Sequence, residues 1–379
     1  MKVLILGGDG YLGWPTAMYL SKRGHSVLIV DNMAKRRWEA EVNATPLFPV
    51  PTIQDRTRLW HEKTGKEITF KYCDISTDYR LLNDIVSTYF PDAVIHYAEQ
   101  PSAPYSHISG TRAIETQRNN ILGTLGLMYS VLAAKPDCHI IKLGTMGEYG
   151  TPNIDIEEGW LDITHNGRTA RCLYPKKAGS VYHLSKCHDS HNLEFGCRVF
   201  NLRCTDLNQG VVYGIDTDET WLDAGLGTSF HYDAIFGTVL NRFLAQAAVG
   251  EPLTVYGSGT QTRGFLNIRD TLACVELALE NPAQEGEFRV FNQFTEQFTI
   301  LDLANRVQTA TDAEIDHIVN PRVEEEDHYY NAKHTGLEDI GLKPNLLTPE
   351  VLVAMYKVVH KHRKNIHKDR LMPTVKWRG

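Results

Sequence analysis

The stretch that most constrains the fold opens the chain. The apolar run "KVLIL" (2–6) breaks straight into "GGDGYLG" (7–13), and an amphipathic stretch follows over 12–23. Gly7, Gly10 and Gly13 thus stand at the point where a strand becomes a helix. Glycines there let the chain turn tightly and bring its backbone close to a pyrophosphate, whose charge meets the free N–H groups of the helix N-terminus. An acidic residue, Asp31, closes the next apolar run, "SVLIV" (26–30). A carboxylate there accepts both hydroxyls of an adenosine ribose and repels a 2′-phosphate, which favours NAD over NADP. Arg36 and Arg37 follow closely and keep NADP as the alternative. "CDI" (73–75) ends the third apolar run where an adenine would lie, so Asp74 is either a contact or a helix N-cap.

The first half of the chain keeps the same rhythm. Strands are expected at 2–6, 26–30, 68–72, 92–98, 138–144 and 197–203, with helices near 12–23, 79–90, 113–134 and 182–196. Alternation of this kind predicts an α/β fold, a doubly wound parallel sheet of Rossmann type. An insertion at 33–66, with "TPLFPVP" inside, is too long for a simple connection and too rich in proline for one helix; it reads as a lid or an interface piece. Beyond about residue 205 the pattern turns irregular. "PLTVYG", "FRVFNQ" and a helix near 300–309 suggest a smaller α/β lobe. The expected division is a dinucleotide-binding domain over 1–205 and a mainly substrate-binding lobe over 206–379, interleaved with the first because no linker separates them.

Composition narrows the classes. A net charge of −7 gives no reason to expect a nucleic-acid or membrane surface, and the basic stretch "HKHRKNIHKDR" (360–370) reads as a solvated C-terminal helix. Seven scattered cysteines without a C-x-x-C fit a reducing compartment. No apolar run reaches the roughly 18 residues of a membrane span, and no targeting segment precedes the first strand, so a cytoplasmic protein is expected. Cys187, His188 and His191 do not bring four ligands together, so no metal is expected.

"YHLSK" (182–186) places Tyr182 and Lys186 one helical turn apart on one face. An ammonium beside a phenol lowers its pKa from about 10 toward working pH and makes it a usable base. Such pairs are common on surfaces; this one lies downstream of a dinucleotide turn and after "LGT" (143–145). Together these residues resemble the extended short-chain dehydrogenase/reductase family. The resemblance implies that Tyr182 is the base, that Lys186 tunes it and holds the nicotinamide ribose, and that Thr145 binds the reacting hydroxyl. It assigns cofactor contacts to Gly7, Gly10, Tyr11, Leu12, Gly13, Asp31, Asn32, Arg36, Asp74, Ile75 and Asn119. "YGSGTQTRGFLNIRD" (256–270) resembles the segment whose arginine, here Arg263, binds a nucleotide-sugar pyrophosphate. Arg322 is a second candidate, and "DLNQGVVYG" (206–214) supplies Asn208 and Gln209 as donors to the sugar, with Gln100 beside them.

Members that dehydrate nucleotide-sugars read Thr-Asp-Glu-x-Tyr-Gly after the fifth strand. Here "GTMGEYG" (144–150) puts Met146 and Gly147 in place of the acid and the base. The longer string "GTMGEYGTPNIDIEEG" (144–159), with "THNGRT", "DLNQGVVYG" and "EFRVFNQFTEQF", resembles the UDP-sulfoquinovose synthase family over essentially the whole chain. That resemblance implies transient oxidation by NAD at C4 of UDP-glucose, loss of water across C5 and C6, addition of sulfite at C6, and return of the hydride. A C4 ketone acidifies the C5 proton, and removing two carboxylates clears space and negative charge for sulfite. Glu148, displaced by one residue, is a candidate for the proton transfers, and His183 for the elimination or for sulfite; a packing or orienting role is the alternative for both. An NAD-dependent nucleotide-sugar 4-epimerase or dehydratase is the alternative activity, and a non-catalytic NAD-sensing scaffold is a third reading, which keeping Tyr182 and Lys186 opposes. Pro101 stands where the family has an arginine, with Arg112 and Arg118 as nearby substitutes. The partners implied are UDP-glucose, sulfite (free or from a donor protein) and a second copy of the chain packed through helices near 113–134 and 182–196.

Overall fold

The computed structural model describes residues 1–322 and 329–377. Its frame is a seven-stranded sheet, parallel throughout. The strands are β1 (Lys2–Leu6), β2 (Ser26–Asp31), β3 (Ile68–Tyr72), β4 (Ala93–His96), β5 (His139–Thr145), Arg203–Gln209 and Phe288–Gln293. In space they run β3-β2-β1-β4-β5, then Arg203–Gln209, then Phe288–Gln293. The order reverses between β1 and β4, and at such a switch point the loops diverge and open a crevice for ligands.

The strands are short aliphatic runs because both faces are covered. On one face, Val3, Ile5, Val27 and Ile29 pack with Trp14, Met18, Trp60 and Val275; on the other, Leu4, Leu6, Leu28 and Val94 pack with Leu82, Ile85, Leu127 and Leu193. Each fully buried aliphatic side chain contributes about 1.5–3 kcal/mol relative to exposure, so the two apolar layers fix the sheet and leave the C-terminal strand ends free for chemistry.

Three sequence expectations change. Residues 197–200 are not strand: the helix Val181–Phe200 runs through them and ends on Asn201 in a left-handed conformation (φ 60°). Leu193, Gly196 and Cys197 are buried at helical spacing, and this wins over the apolar look of "CRVF". Phe288–Gln293 belongs to the large sheet, paired with Arg203–Gln209 from Phe288 opposite Cys204 to Gln293 opposite Gln209. The basic stretch 360–370 is not one helix; Pro349–Lys361 ends first, and two short 3₁₀ turns follow, Arg363–Asn365 and Lys368–Arg370.

The insertion 33–66 forms two helices, Ala34–Glu41 and Ile53–Thr64, with the proline-rich piece between them. The smaller lobe holds a three-stranded sheet (Val211–Tyr213, Thr262–Asn267, Glu296–Thr299), the pair Leu253–Tyr256 with Ile315–Ile318, and the helices Val239–Ala248, Ile300–Thr311 and Pro349–Lys361 around their own core. Among the described residues no helix is long and apolar enough to cross a membrane.

Candidate active site

Gly7 has φ +86°, and a Cβ there would press on the backbone of Tyr97 and Ala98; a Cβ on Gly13 would collide with the Gly7 carbonyl. The turn therefore exists only with glycines, and it lies over the N-terminus of the helix Gly13–Lys22. The Asp31 carboxylate accepts the N–H groups of Asp9 (2.9 Å) and Met33 (2.7 Å) and faces the cleft. Burial pushes Asp31 up to about 6, with the neighbouring Asp9 adding to the rise. Arg36 does not offer itself to a 2′-phosphate. Its guanidinium holds Asp9 through two bonds (2.7 and 2.9 Å) and donates to the carbonyls of Val50 (3.1 Å) and Pro51 (2.7 Å). The buried Arg56 contacts the same Asp9 carboxylate. The glycine cradle, the carboxylate ending β2 and the spoken-for Arg36 together fit a dinucleotide with a bare 2′-hydroxyl.

A cleft of about 1100 Å³ opens at the switch point. Its cofactor end is lined by Gly7, Gly10, Tyr11, Leu12, Gly13, Asp31, Asn32, Arg36, Ile75 and Asn119. The insertion contributes Thr45–Val50 to the wall, and the tail contributes Lys364, Asn365 and His367, which the sequence had as solvated helix. The reacting end is lined by Thr145, Tyr182, His183, Gln209, Arg263 and Arg322.

Tyr182 sits in the first turn of its helix, where Ser106 accepts its N–H (3.2 Å) and Ser180 caps His183 N–H (3.0 Å). The sequence expectation of a lowered phenol is reversed: burial, then Glu99 and Glu148, push Tyr182 well above its ordinary value. Lys186 is buried against the Glu99 carboxylate and the Leu143 carbonyl. His183 lies in the cleft wall, held neutral to about 3 by burial and by Arg322, and its Nδ1 meets no partner among the described residues.

"GTMGEYG" now has a physical account. Thr145 ends β5 and caps a 3₁₀ turn, Met146–Glu148: its Oγ1 accepts Gly147 N–H (3.2 Å), while Glu148 accepts Thr145 N–H (3.3 Å). Met146 is buried among Tyr149, Ile156, Tyr174 and Phe294. A Cβ on Gly147 would collide with the His183 imidazole. The turn thus exchanges an acid for an apolar anchor and a base for the room that a histidine fills. Glu148 lies outside the cleft, in a sealed cluster with Lys142 (3.3 Å), Lys176 and Ser190 (3.0 Å). Burial alone would raise Glu148, but Lys142 and Lys176 outweigh it and hold the carboxyl near about 2.

Three more candidates stand back from the cleft. Gln100 is buried and donates to Thr116 (2.8 Å) and the Ser102 carbonyl (3.0 Å). Asn208 donates to Tyr149 (2.8 Å), which donates to Asn292 (2.9 Å). Asp74 accepts from Ser76 N–H (3.0 Å) and its hydroxyl (2.7 Å), closing a turn. Gln209 faces the cleft and donates to Gln293 (3.0 Å). Arg322 carries the Trp377 ring 5.4 Å from its guanidinium; residues 323–328 of its segment lie outside the described residues. Pro101 lines the cleft, whereas Arg112 is paired with Glu41 (2.9 Å) and Glu115 (2.6 Å), and Arg118 is exposed. Sequence reasoning missed Glu99, Lys142 and Asp9. The signals were there: a glutamate shortly after β4, a lysine inside the apolar run of β5, and an acid inside the glycine turn.

A switch-point cleft with a glycine cradle at one end and Thr145 and Tyr182 at the other, and with Lys186 buried one helical turn behind Tyr182 rather than in the cleft lining, defines an extended short-chain reductase. The chain belongs to the NAD dependent epimerase/dehydratase family, whose sequence profile matches residues 3–292, and its cofactor is NAD. It is 52% identical to "UDP-sulfoquinovose synthase, chloroplastic" of Spinacia oleracea, over 100% of this chain and 79% of that one. It is 43% identical to UDP-sulfoquinovose synthase of Sulfolobus acidocaldarius, over 100% of this chain and 98% of the relative. Among solved structures, UDP-glucose 4-epimerase from Bifidobacterium longum in complex with NAD+ and UDP superposes with a TM-score of 0.71 at 20% identity, covering 97% of this chain and 100% of that chain. That likeness concerns the fold.

Proposed function

We propose that this chain is a UDP-sulfoquinovose synthase, converting UDP-glucose and sulfite to UDP-sulfoquinovose and water. The observation that carries the reading is the turn after Thr145: Met146 is sealed in an apolar cluster, Gly147 gives its space to His183, and Glu148 is locked in an ion cluster. This turn brings no acid or base of the dehydratase kind to the cleft, and the 52% full-length identity to the spinach enzyme agrees with that. The glycine cradle and Asp31 would hold NAD, which would supply the acceptor for the C4 hydride and its later return.

Thr145 and Tyr182 flank the position of the reacting C4 hydroxyl. Tyr182 takes its proton as the C4–H bond breaks, and the resulting ketone acidifies the C5 proton. Loss of that proton and of the C6 hydroxyl as water leaves a double bond conjugated to the ketone. The sulfur lone pair of sulfite then forms the C–S bond at C6 while C5 regains a proton. Reduction at C4 restores the hydroxyl, with Tyr182 returning the proton. His183, neutral and with a free Nδ1, suits proton transfer at C5 and C6. Arg263 and Arg322 suit the diphosphate, because a guanidinium matches phosphate geometry.

The protein is further read as a homodimer. Ile114, Leu122 and Tyr129 on Gly110–Ala134, and Leu184, Phe195 and Val199 on Val181–Phe200, are large apolar residues left exposed on two helices that pack together. Seven unpaired cysteines support a reducing, cytoplasmic setting. Product formed from free sulfite in the following assay would show that no donor protein is required. Purified protein is incubated with UDP-glucose and NAD, with and without sulfite, and the nucleotide-sugar is weighed by mass spectrometry. A product heavier by one sulfite less one water, formed only with sulfite, supports the synthase; UDP-galactose formed regardless of sulfite would replace it with the epimerase.

A further inference from the structure

Glu99 stands three residues past the end of β4 and lines the cleft, yet its side chain is only 3% exposed. Its carboxylate takes no hydrogen bond from a backbone amide or a hydroxyl among the described residues. It faces the Lys186 ammonium in direct contact, and His96 Nε2 stands 3.7 Å away. Lys186 spends a second donor on the Leu143 carbonyl. Three elements thus meet at the cleft floor: the loop after β4, the end of β5 and the helix that carries Tyr182. A buried ammonium without a counter-ion would be costly, so this contact fixes where Lys186 points.

We propose that Glu99 is a positioning residue of the redox site: it holds the Lys186 ammonium at the cleft floor and balances its charge beside Tyr182. The inference rests on the reading above only for the role of Tyr182 as base. A lysine four residues on from a tyrosine would, unbalanced, lower the phenol and so favour the phenolate. Here Lys186 is met by Glu99, and burial first, then Glu99 and the balance of the remaining charges, oppose the phenolate. Lys142 on β5 favours the phenolate; Glu148 on the 3₁₀ turn and Asp189 on the same helix oppose it. The neutral His183 adds no charge. Tyr182 accordingly keeps its proton in the protein alone, consistent with the upward push noted above.

The test is a tyrosinate titration by near-ultraviolet absorbance on the purified protein with its cofactor, the Tyr182→Phe counterpart of each variant being subtracted to isolate one phenol. In Glu99→Gln the Tyr182 phenolate is expected at a roughly tenfold higher proton concentration than in the parent, and the acidic limb of kcat moves to lower pH by the same factor. Glu99→Asp, which keeps the charge, tracks the parent. Adding Lys186→Met to Glu99→Gln brings the titration back. A folded Glu99→Gln protein whose curve superimposes on the parent overturns the proposal, since a purely structural role would lower Tm and leave the titration in place. Should Glu99→Gln fail to fold, Lys186→Met alone decides: Glu99 left unbalanced delays the phenolate, and an unmoved curve again overturns the proposal. The titration needs no sugar substrate, so a failure of the sulfite assay leaves it readable.

Discussion

Gly147 and His183 form one unit, although 36 positions of sequence separate them. The missing carboxylates at 146 and 147 are legible in the string, but the reason for the glycine is not, because it depends on how the helix Val181–Phe200 docks over a turn from β5. The same holds for Tyr182. Its spacing to Lys186 predicts a lowered phenol, and burial first, then a glutamate from the loop after β4, push it up instead. Gly147→Ala tests the pairing. The added methyl overlaps the imidazole, and overpacking of this kind costs about 1–3 kcal/mol if the turn absorbs it. Displacing His183 by about 1 Å should cost product formation tenfold to a hundredfold. Steady-state kcat and a thermal melt together check this. A variant that keeps full kcat would show that His183 can move freely and that its place against Gly147 has no role in the reaction.

At the scale of elements, β5 is the most heavily committed strand. Its apolar look made it easy to find, and that look hid Lys142, which is fully buried and reaches Glu148 (3.3 Å), Asp206 (3.2 Å) and Ser190 (2.8 Å). No periodicity can announce such a lysine, since its partners lie on a turn, a helix and the next strand. Helix ends were harder to read for a related reason: Val181–Phe200 continues through an apolar stretch that suits a strand equally well until burial chooses. Lys142→Met should strand two carboxylates in the interior and destabilise the protein by about 3–5 kcal/mol, measured as the shift of a urea midpoint. The pH dependence has a definite sign. Glu148 is depressed from 4.5 to about 2, so its contribution is present above pH 4.5 and is lost as pH falls toward 2. In Lys142→Met the depression shrinks, and acid unfolding begins at higher pH. A variant with parent-like acid stability would mean that Lys176 alone holds Glu148.

Across the whole molecule, the cofactor half of the cleft could be read from residues because it is local: strand, turn, helix and one acid at a fixed distance. The opposite wall could not, because it is assembled from an insertion, a loop of the smaller lobe and the tail. Residues on all three line one cavity, and the Asp9 carboxylate with Arg36 and Arg56 ties the insertion to the glycine turn. The exposed apolar stripe over Gly110–Ala134 and Val181–Phe200 faces away from the cleft lining, with Ile114 70% exposed and Phe195 42% exposed. A patch of this kind on two packed helices, one of which also carries Tyr182 and Lys186, is expected to be covered by its own copy in a two-fold pair. Sedimentation equilibrium should give twice the chain mass for the parent. Ile114→Glu combined with Phe195→Glu puts four charges across a two-fold interface and should give the chain mass, with kcat lowered no more than about threefold. Leu346→Glu, a charge at an exposed leucine on the smaller lobe, should leave the parent mass unchanged. A parent that sediments at the chain mass would remove the dimer and leave the stripe to another partner.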